Sequence, residues 1–199
     1  MATQELRLTG SGGQGLILAG IILAEAALLD GMNVIQSQSY GPEARGGASK
    51  SEVIISDKYI NYPKVEECYI MLALTQDACN KYIHSLRPGG TLIIDSSIKF
   101  IPESKDIKTV IIPIIDISRE KIGKSMVANI VALGSIYELT KIVSKDSLIK
   151  AVLGRVPRGT EELNKQALSE GFNLILEHRD VYVNESWSNR KYKRKIQHS

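Results

Sequence analysis

The chain has 199 residues and a mass of 21.9 kDa, with 43% hydrophobic and 24% charged residues. This is the balance of one soluble globular domain with no need of disulfide staples. Two cysteines, Cys68 and Cys79, and three scattered histidines, His84, His178 and His198, exclude a disulfide scaffold, a four-ligand zinc site and an iron–sulfur cluster held by this chain alone. The formal charge of +3 is uneven, because residues 185–199 carry five basic side chains against Glu185, while residues 1–184 carry 20 basic and 21 acidic ones. The basic balance belongs to the tail, so no nucleic-acid surface is expected on the body. Met1 to Leu8 lacks the apolar segment of a secretory signal, and a cytoplasmic location is expected.

Glu5 to Thr9 alternates as a strand does, and Gly10-Ser11-Gly12-Gly13-Gln14-Gly15 follows it. The apolar run Leu16 to Leu29 is too short to cross a bilayer comfortably and predicts a buried helix that stops at Gly31. Asn33 to Ser37 reads as a second strand, so residues 5–37 form a strand–turn–helix–strand unit. The loop from Ser39 to Gly47 leads to a strand over Ser49 to Ser56. Cys68 to Leu74 predicts a further strand, Gln76 to Leu86 a short helix, and Pro88-Gly89-Gly90 a turn before the strand Thr91 to Ile94. Lys108 to Ile115 is a last strand, in which Pro113 fits an edge or an end. Beyond Ile117 the strand signals stop, and helices are expected over Ser125 to Ile142, Lys145 to Leu153 and Glu161 to Glu177. The expected fold is α/β, a three-layer Rossmann-like domain with a mainly parallel sheet and a helical C-terminal end. The expected domain covers residues 1–184, and residues 185–199 form a basic, flexible tail.

Gly10, Gly12 and Gly15 have the glycine spacing of a dinucleotide fingerprint, between a strand and a helix as that motif requires. Such glycines allow close backbone approach while helix-end N–H groups face an anion. The second strand, however, offers Gln36 and Ser37 where an acid would hold a ribose hydroxyl. A phosphate loop of nucleoside triphosphatases is excluded, because Leu16-Ile17 stands where Lys-Ser/Thr is required. Gly13 and Gln14 give the loop a polar tip for a ligand or another subunit. Close packing of the helix on the sheet is the competing reading. In the second loop, Tyr40-Gly41-Pro42 makes a rigid turn, Gly46-Gly47 frees the backbone, and Glu43 and Arg45 lie between them. Arg45 is suited to fork onto a carboxylate or phosphate. Local pairing with Glu43 and simple solvation stay open. Asp95, at a strand end, is read as either a ligand group or a turn cap. Neither a catalytic residue nor a metal ligand is assigned. The Ser-x-x-Lys spacings at Ser96/Lys99 and Ser147/Lys150 lack the other elements of that hydrolase class.

The glycine loop with Leu18-Ala19-Gly20, followed by the run from Gln36 through Ser39-Tyr40-Gly41-Pro42-Glu43-Ala44-Arg45-Gly46-Gly47-Ala48, resembles the gamma subunit of 2-oxoacid:ferredoxin oxidoreductases. The likeness continues through Ser51 to Ser56, Tyr62-Pro63, Gly89 to Ile93, Asn129 and Glu162-Leu163-Asn164, over roughly residues 4–178. The resemblance implies a subunit of a complex that oxidatively decarboxylates a 2-oxoacid with coenzyme A. It implies alpha, beta and delta partner subunits, with ferredoxin or a similar acceptor taking the electrons. Thiamine diphosphate and iron–sulfur clusters are implied on the other subunits, and no cofactor is held by this chain alone. The Ser-Tyr-Gly-Pro-Glu-Ala-Arg-Gly-Gly-Ala form is most like the 2-oxoglutarate type, which yields succinyl-CoA. The equivalent subunit of a pyruvate, branched-chain or indolepyruvate enzyme and a free-standing nucleotide-binding protein are the alternatives. Implied site residues are Gly10, Gly12, Gly13, Gln14, Gly15, Tyr40, Glu43, Arg45, Gly46 and Gly47. No membrane span is expected.

Overall fold

The computed structural model describes residues 3–39, 47–101 and 106–177. Its order is β1 (Gln4–Ser11), α1 (Leu16–Leu29), β2 (Asn33–Ser39), β3 (Ala48–Ser56), β4 (Cys68–Ala73), α2 (Gln76–Tyr82), β5 (Leu86–Asp95), β6 (Lys108–Ile112), α3 (Ile114–Asp116), α4 (Ala128–Thr140), α5 (Lys145–Arg155) and α6 (Glu161–Glu177). The six strands form one sheet in the order β2-β3-β1-β4-β5-β6. β3 is antiparallel to both β1 and β2, while β1, β4, β5 and β6 run parallel. Five strands thus share a direction and β3 opposes them. The expected α/β architecture with a mainly parallel sheet is present.

Period-two alternation assigns the strand side chains to two cores. Leu6 and Leu8 of β1, Val53 and Ile55 of β3, and Ile70 and Leu72 of β4 face the core built with α1, α4, α5 and α6. Ile54, Met71, Ala73, Leu92 and Ile94 face a smaller core that includes Cys79 of α2. Four helices therefore cover one face of the sheet and a short one the other. α1 lies between the sheet and α5, which explains an apolar run broken among larger residues only by Glu25, the partner of Arg155 on α5: a helix covered on most sides has little polar face. No helix among the described residues is long and apolar enough to cross a membrane.

The expected strand–helix–strand unit is present, and β3 is inserted between its two strands. Two expectations are corrected. Pro88-Gly89-Gly90 does not precede a strand but lies within β5. There Cys68 faces Leu86 and Ile70 already faces Thr91, so three extra residues bulge out of the ladder. Gly89 adopts φ +76° in the bulge and donates to the Asp106 carbonyl at 2.6 Å. The helix expected over Gln76–Leu86 gives way after Tyr82 to a tight turn over Ile83–Ser85, and Leu86 already belongs to β5. Pro113 lies just beyond β6, which is an edge strand. The expected basic tail, residues 185–199, lies outside the described residues.

The late helices α4 and α6 approach backbone to backbone at Gly134 and Gly171. A Cβ on Gly134 would meet the Leu168 carbonyl oxygen, and one on Gly171 the Val131 carbonyl oxygen. Ser135 Oγ donates to the Val131 and Gly171 carbonyls at 3.1 Å each. Gly134 and Ser135 of α4 thus make an intramolecular contact with α6.

Candidate functional site

β1 and β4 are parallel neighbours whose following helices pass to opposite faces of the sheet, α1 to the larger core and α2 to the smaller. A crevice at the carboxyl ends of two such strands is where open α/β sheets hold their ligands. Its floor is closed by the Leu74 N–H donating to the Thr9 carbonyl at 3.0 Å.

The glycine loop rims this crevice, and its members divide by role. Gly10 has no room for a methyl group: a Cβ would strike Gln14 Oε1 and lie 2.7 Å from Leu16 Cδ1. That space lets the Gln14 amide oxygen accept the Ser11 N–H at 2.8 Å. Gln14 therefore braces its own loop through its oxygen. Gly15 caps α1 in the left-handed region, at φ 71°, and a Cβ there would sit 2.7 Å from Asn129 Nδ2. Asn129 Nδ2 donates to the Gly15 carbonyl at 3.1 Å and ties the start of α4 to the loop. Gly12 and Gly13 are exposed, with no described residue within 4 Å of a Cβ built on either. Among the described residues no side chain caps α1, and the N–H groups of a first helical turn suit an anionic acceptor. Farther along, α1 approaches β3 so closely that a Cβ on Gly20 would strike Ser51 Oγ.

The second loop leaves from the same edge. Ser39, the last residue of β2, faces Lys50, and Ala48, the first of β3, faces Ser11. Ser49 Oγ donates to the Gly10 carbonyl at 3.3 Å, and Tyr82 Oη of α2 donates to the Ala48 carbonyl at 3.2 Å. Gly47 is half-buried at this junction. Tyr40, Glu43, Arg45 and Gly46 lie outside the described residues. Both glycine-bearing segments are thus anchored side by side at the carboxyl ends of β1 and β2.

Asp95 is a turn cap. Its Oδ1 accepts the Ser97 N–H at 2.9 Å and its Oδ2 the Ile115 N–H at 2.8 Å. Ser147 Oγ donates to Asp30, joining the start of α5 to the end of α1, and His84 is exposed on the turn after α2. Asn164, in the first turn of α6, donates to the Thr160 carbonyl at 2.9 Å. Burial pushes the thiols of both Cys68 and Cys79 up to about 11, although the nearby Arg7 charge and a hydrogen bond with the Ser85 side chain act the other way on Cys68. Neither thiol is a ready nucleophile or metal ligand. A cleft of about 350 Å³ lined by Tyr69, Thr91 and Ile142 among others opens at the amino ends of the strands, away from the glycine loops.

Sequence reasoning missed one charged cluster. Arg7 and Glu52 face each other on β1 and β3, 3% and 7% exposed, with Arg7 Nε donating to Glu52 Oε1 at 2.8 Å. The available signal was a charge at an inward position of an apolar strand, as in Leu6-Arg7-Leu8.

The sequence profile described as pyruvate ferredoxin/flavodoxin oxidoreductase matches residues 5–174. The 2-oxoglutarate synthase subunit KorC of Methanocaldococcus jannaschii is 48% identical over 177 residues, covering 87% of this chain and 95% of that one. The crystal structure of the gamma subunit of a keto/oxoacid ferredoxin oxidoreductase from Geobacter sulfurreducens superposes with a TM-score of 0.79 at 50% identity, over 87% of this chain and 99% of that one. A 2-oxoglutarate:ferredoxin oxidoreductase chain from Magnetococcus marinus shares the fold, with a TM-score of 0.78 at 22% identity over 88% of this chain and 31% of that longer one. The extent of these matches, on a sheet whose glycine loop closes as described, establishes that the chain belongs to the pyruvate ferredoxin/flavodoxin oxidoreductase family.

Proposed function

We infer that this chain is the gamma-type subunit of a 2-oxoglutarate synthase, in which 2-oxoglutarate and coenzyme A give succinyl-CoA and CO2 while two electrons pass to ferredoxin. The observation that carries the reading is the 48% identity to a 2-oxoglutarate synthase subunit over nearly the full length of both chains. Alpha, beta and delta subunits are the proposed partners, and the cytoplasm the proposed location. Thiamine diphosphate supplies the carbanion chemistry of decarboxylation and iron–sulfur clusters carry the electrons. Two buried cysteines with raised thiol pKa values do not fit a cluster, which needs about four thiolates. The clusters accordingly belong to the other subunits, and thiamine diphosphate is proposed to sit there with them.

The part left to this chain is binding and positioning. Gly12 and Gly13 let a ligand or subunit approach the backbone, the first turn of α1 offers N–H donors, and Arg45 supplies a guanidinium fork for a coenzyme A phosphate or a neighbouring carboxylate.

Reconstitution with the other subunits tests the reading. The complete complex should reduce ferredoxin with 2-oxoglutarate at a higher kcat/KM than with pyruvate, 2-oxoisovalerate or indolepyruvate, and the isolated chain should be inactive. A preference for another 2-oxoacid would overturn the substrate. Arg45→Ala should raise the KM for coenzyme A or weaken subunit affinity by roughly ten- to a hundredfold, with Arg45→Lys intermediate. Wild-type values for both quantities in the alanine variant would make Arg45 a solvated surface residue.

A further inference from the structure

Glu52 gathers donors from three strands on the α2 side of the sheet. Its Oε1 accepts Arg7 Nε at 2.8 Å and Lys50 Nζ at 2.8 Å, and Arg7 Nη2 lies 2.6 Å from the same oxygen. Its Oε2 accepts Ser37 Oγ at 3.3 Å. Arg7 Nη2 also donates to the Val65 carbonyl at 2.6 Å. Two full cations therefore share one carboxylate, and these three side chains carry a net charge of +1, while the Arg7 charge also reaches Glu5 two residues along β1.

Charges inside a protein persist when paired and hydrogen-bonded. Arg7 and Glu52 satisfy each other where water hardly reaches. The surplus falls to Lys50, whose side chain is 25% exposed. Register places Lys50 between Thr9 of β1 and Ser39 of β2. It is thus two residues from Ala48, which faces Ser11, and one strand from the crevice between β1 and β4. Glu52 grips the ammonium from the sheet side, and Arg7 holds Glu52. A lysine restrained this way has already lost much of the rotamer freedom that binding would cost it.

We propose that Lys50 receives an oxyanion, a phosphate or a carboxylate, of the ligand handled at the carboxyl end of the sheet, with Glu52 and Arg7 as its positioning residues. The proposal rests on the function inferred above and deepens it. The two sources of such an oxyanion are coenzyme A and the 2-oxoacid.

The test is steady-state kinetics of the assembled complex with both substrates varied. Lys50→Met should raise one KM about tenfold or more, the loss of one charge-assisted contact, with kcat and the melting temperature of the chain little changed. Lys50→Arg should recover most of it. A rise confined to coenzyme A identifies a phosphate, and one confined to 2-oxoglutarate a carboxylate. Glu52→Gln keeps an acceptor but loosens the grip on the Lys50 ammonium, so it should raise the same KM by less than Lys50→Met does. A merely structural cluster would lower the melting temperature and leave both KM values of the assembled complex unchanged. If Glu52→Gln does not assemble, the Lys50 pair decides alone. Wild-type KM values in Lys50→Met, or a Lys50→Arg complex as impaired as Lys50→Met, would overturn the proposal. Should the wild-type complex fail to use coenzyme A and 2-oxoglutarate, the functional reading falls separately. Calorimetry with inorganic pyrophosphate on the full chain then decides for Lys50: binding that Lys50→Met abolishes supports it, and no binding overturns it.

Discussion

A methyl group added at each glycine of the first loop would meet different neighbours, so a substitution series should give graded costs. Gly15→Ala places a Cβ against Asn129 at a left-handed φ of 71° and should cost roughly 1–3 kcal/mol. Gly10→Ala displaces the end of the flexible Gln14 side chain and forfeits its bond to Ser11, a loss of about 1 kcal/mol. Gly12→Ala meets open space and should leave stability within about 0.5 kcal/mol of the parent. Urea denaturation checks the order, and a Gly12 variant as unstable as the Gly15 one would refute the division of roles. The buried thiols make a pH prediction. Because burial raises both from 9.0 to about 11, the folded state keeps their protons longer than the unfolded state does. Their contribution is complete below about pH 9 and is lost as pH climbs towards about 11. Thermal melting across that window should show a shallower loss in the Cys68→Ala/Cys79→Ala double variant than in the parent, and equal slopes would contradict the account.

At the scale of elements, the α4–α6 contact has the least tolerance. A Cβ at Gly171 would meet the Val131 carbonyl oxygen and come within 2.9 Å of Gly134 Cα and of the Ser135 nitrogen, all backbone atoms that no rotamer change can move. Gly171→Ala should therefore force the helices apart at a cost of roughly 1–3 kcal/mol, despite alanine's better helix propensity. A variant as stable as the parent in chemical denaturation would show that the helices separate freely. The pairing of β2 matters in another way. Its Gln36 Nε2 donates to Ser51 Oγ at 3.2 Å and its Ser37 Oγ to Glu52, so both positions where a ribose-binding acid is expected are engaged with β3.

For the molecule as a whole, insertion of β3 puts β2 roughly 9–10 Å from β1, two strand spacings instead of one. A dinucleotide laid on the glycine loop would find neither the acid nor its usual distance. The isolated chain should accordingly show no low-micromolar NAD binding by titration calorimetry, and such binding would defeat this reading of the sheet.

Much of this molecule was already legible in its residues. The run Leu16 to Leu29 and the alternation in Leu6-Arg7-Leu8 specify helix and strand locally, because side-chain period and backbone geometry are coupled within a few residues. The glycine loop's position between strand and helix follows from the same local rules, as do the final helices and the edge character of β6 marked by Pro113. Tertiary structure alone decided which strands are neighbours. Nothing near Asn33 or Ser49 says that β3 will part β1 from β2, since strand pairing depends on contacts remote in sequence. It also decided that Arg7 and Glu52, 45 residues apart, bury their charges together and leave Lys50 with the surplus. A one-residue change of register would have turned those side chains to the opposite face. Charge at a strand position is visible in a sequence, but its partner is set by the register of the folded sheet.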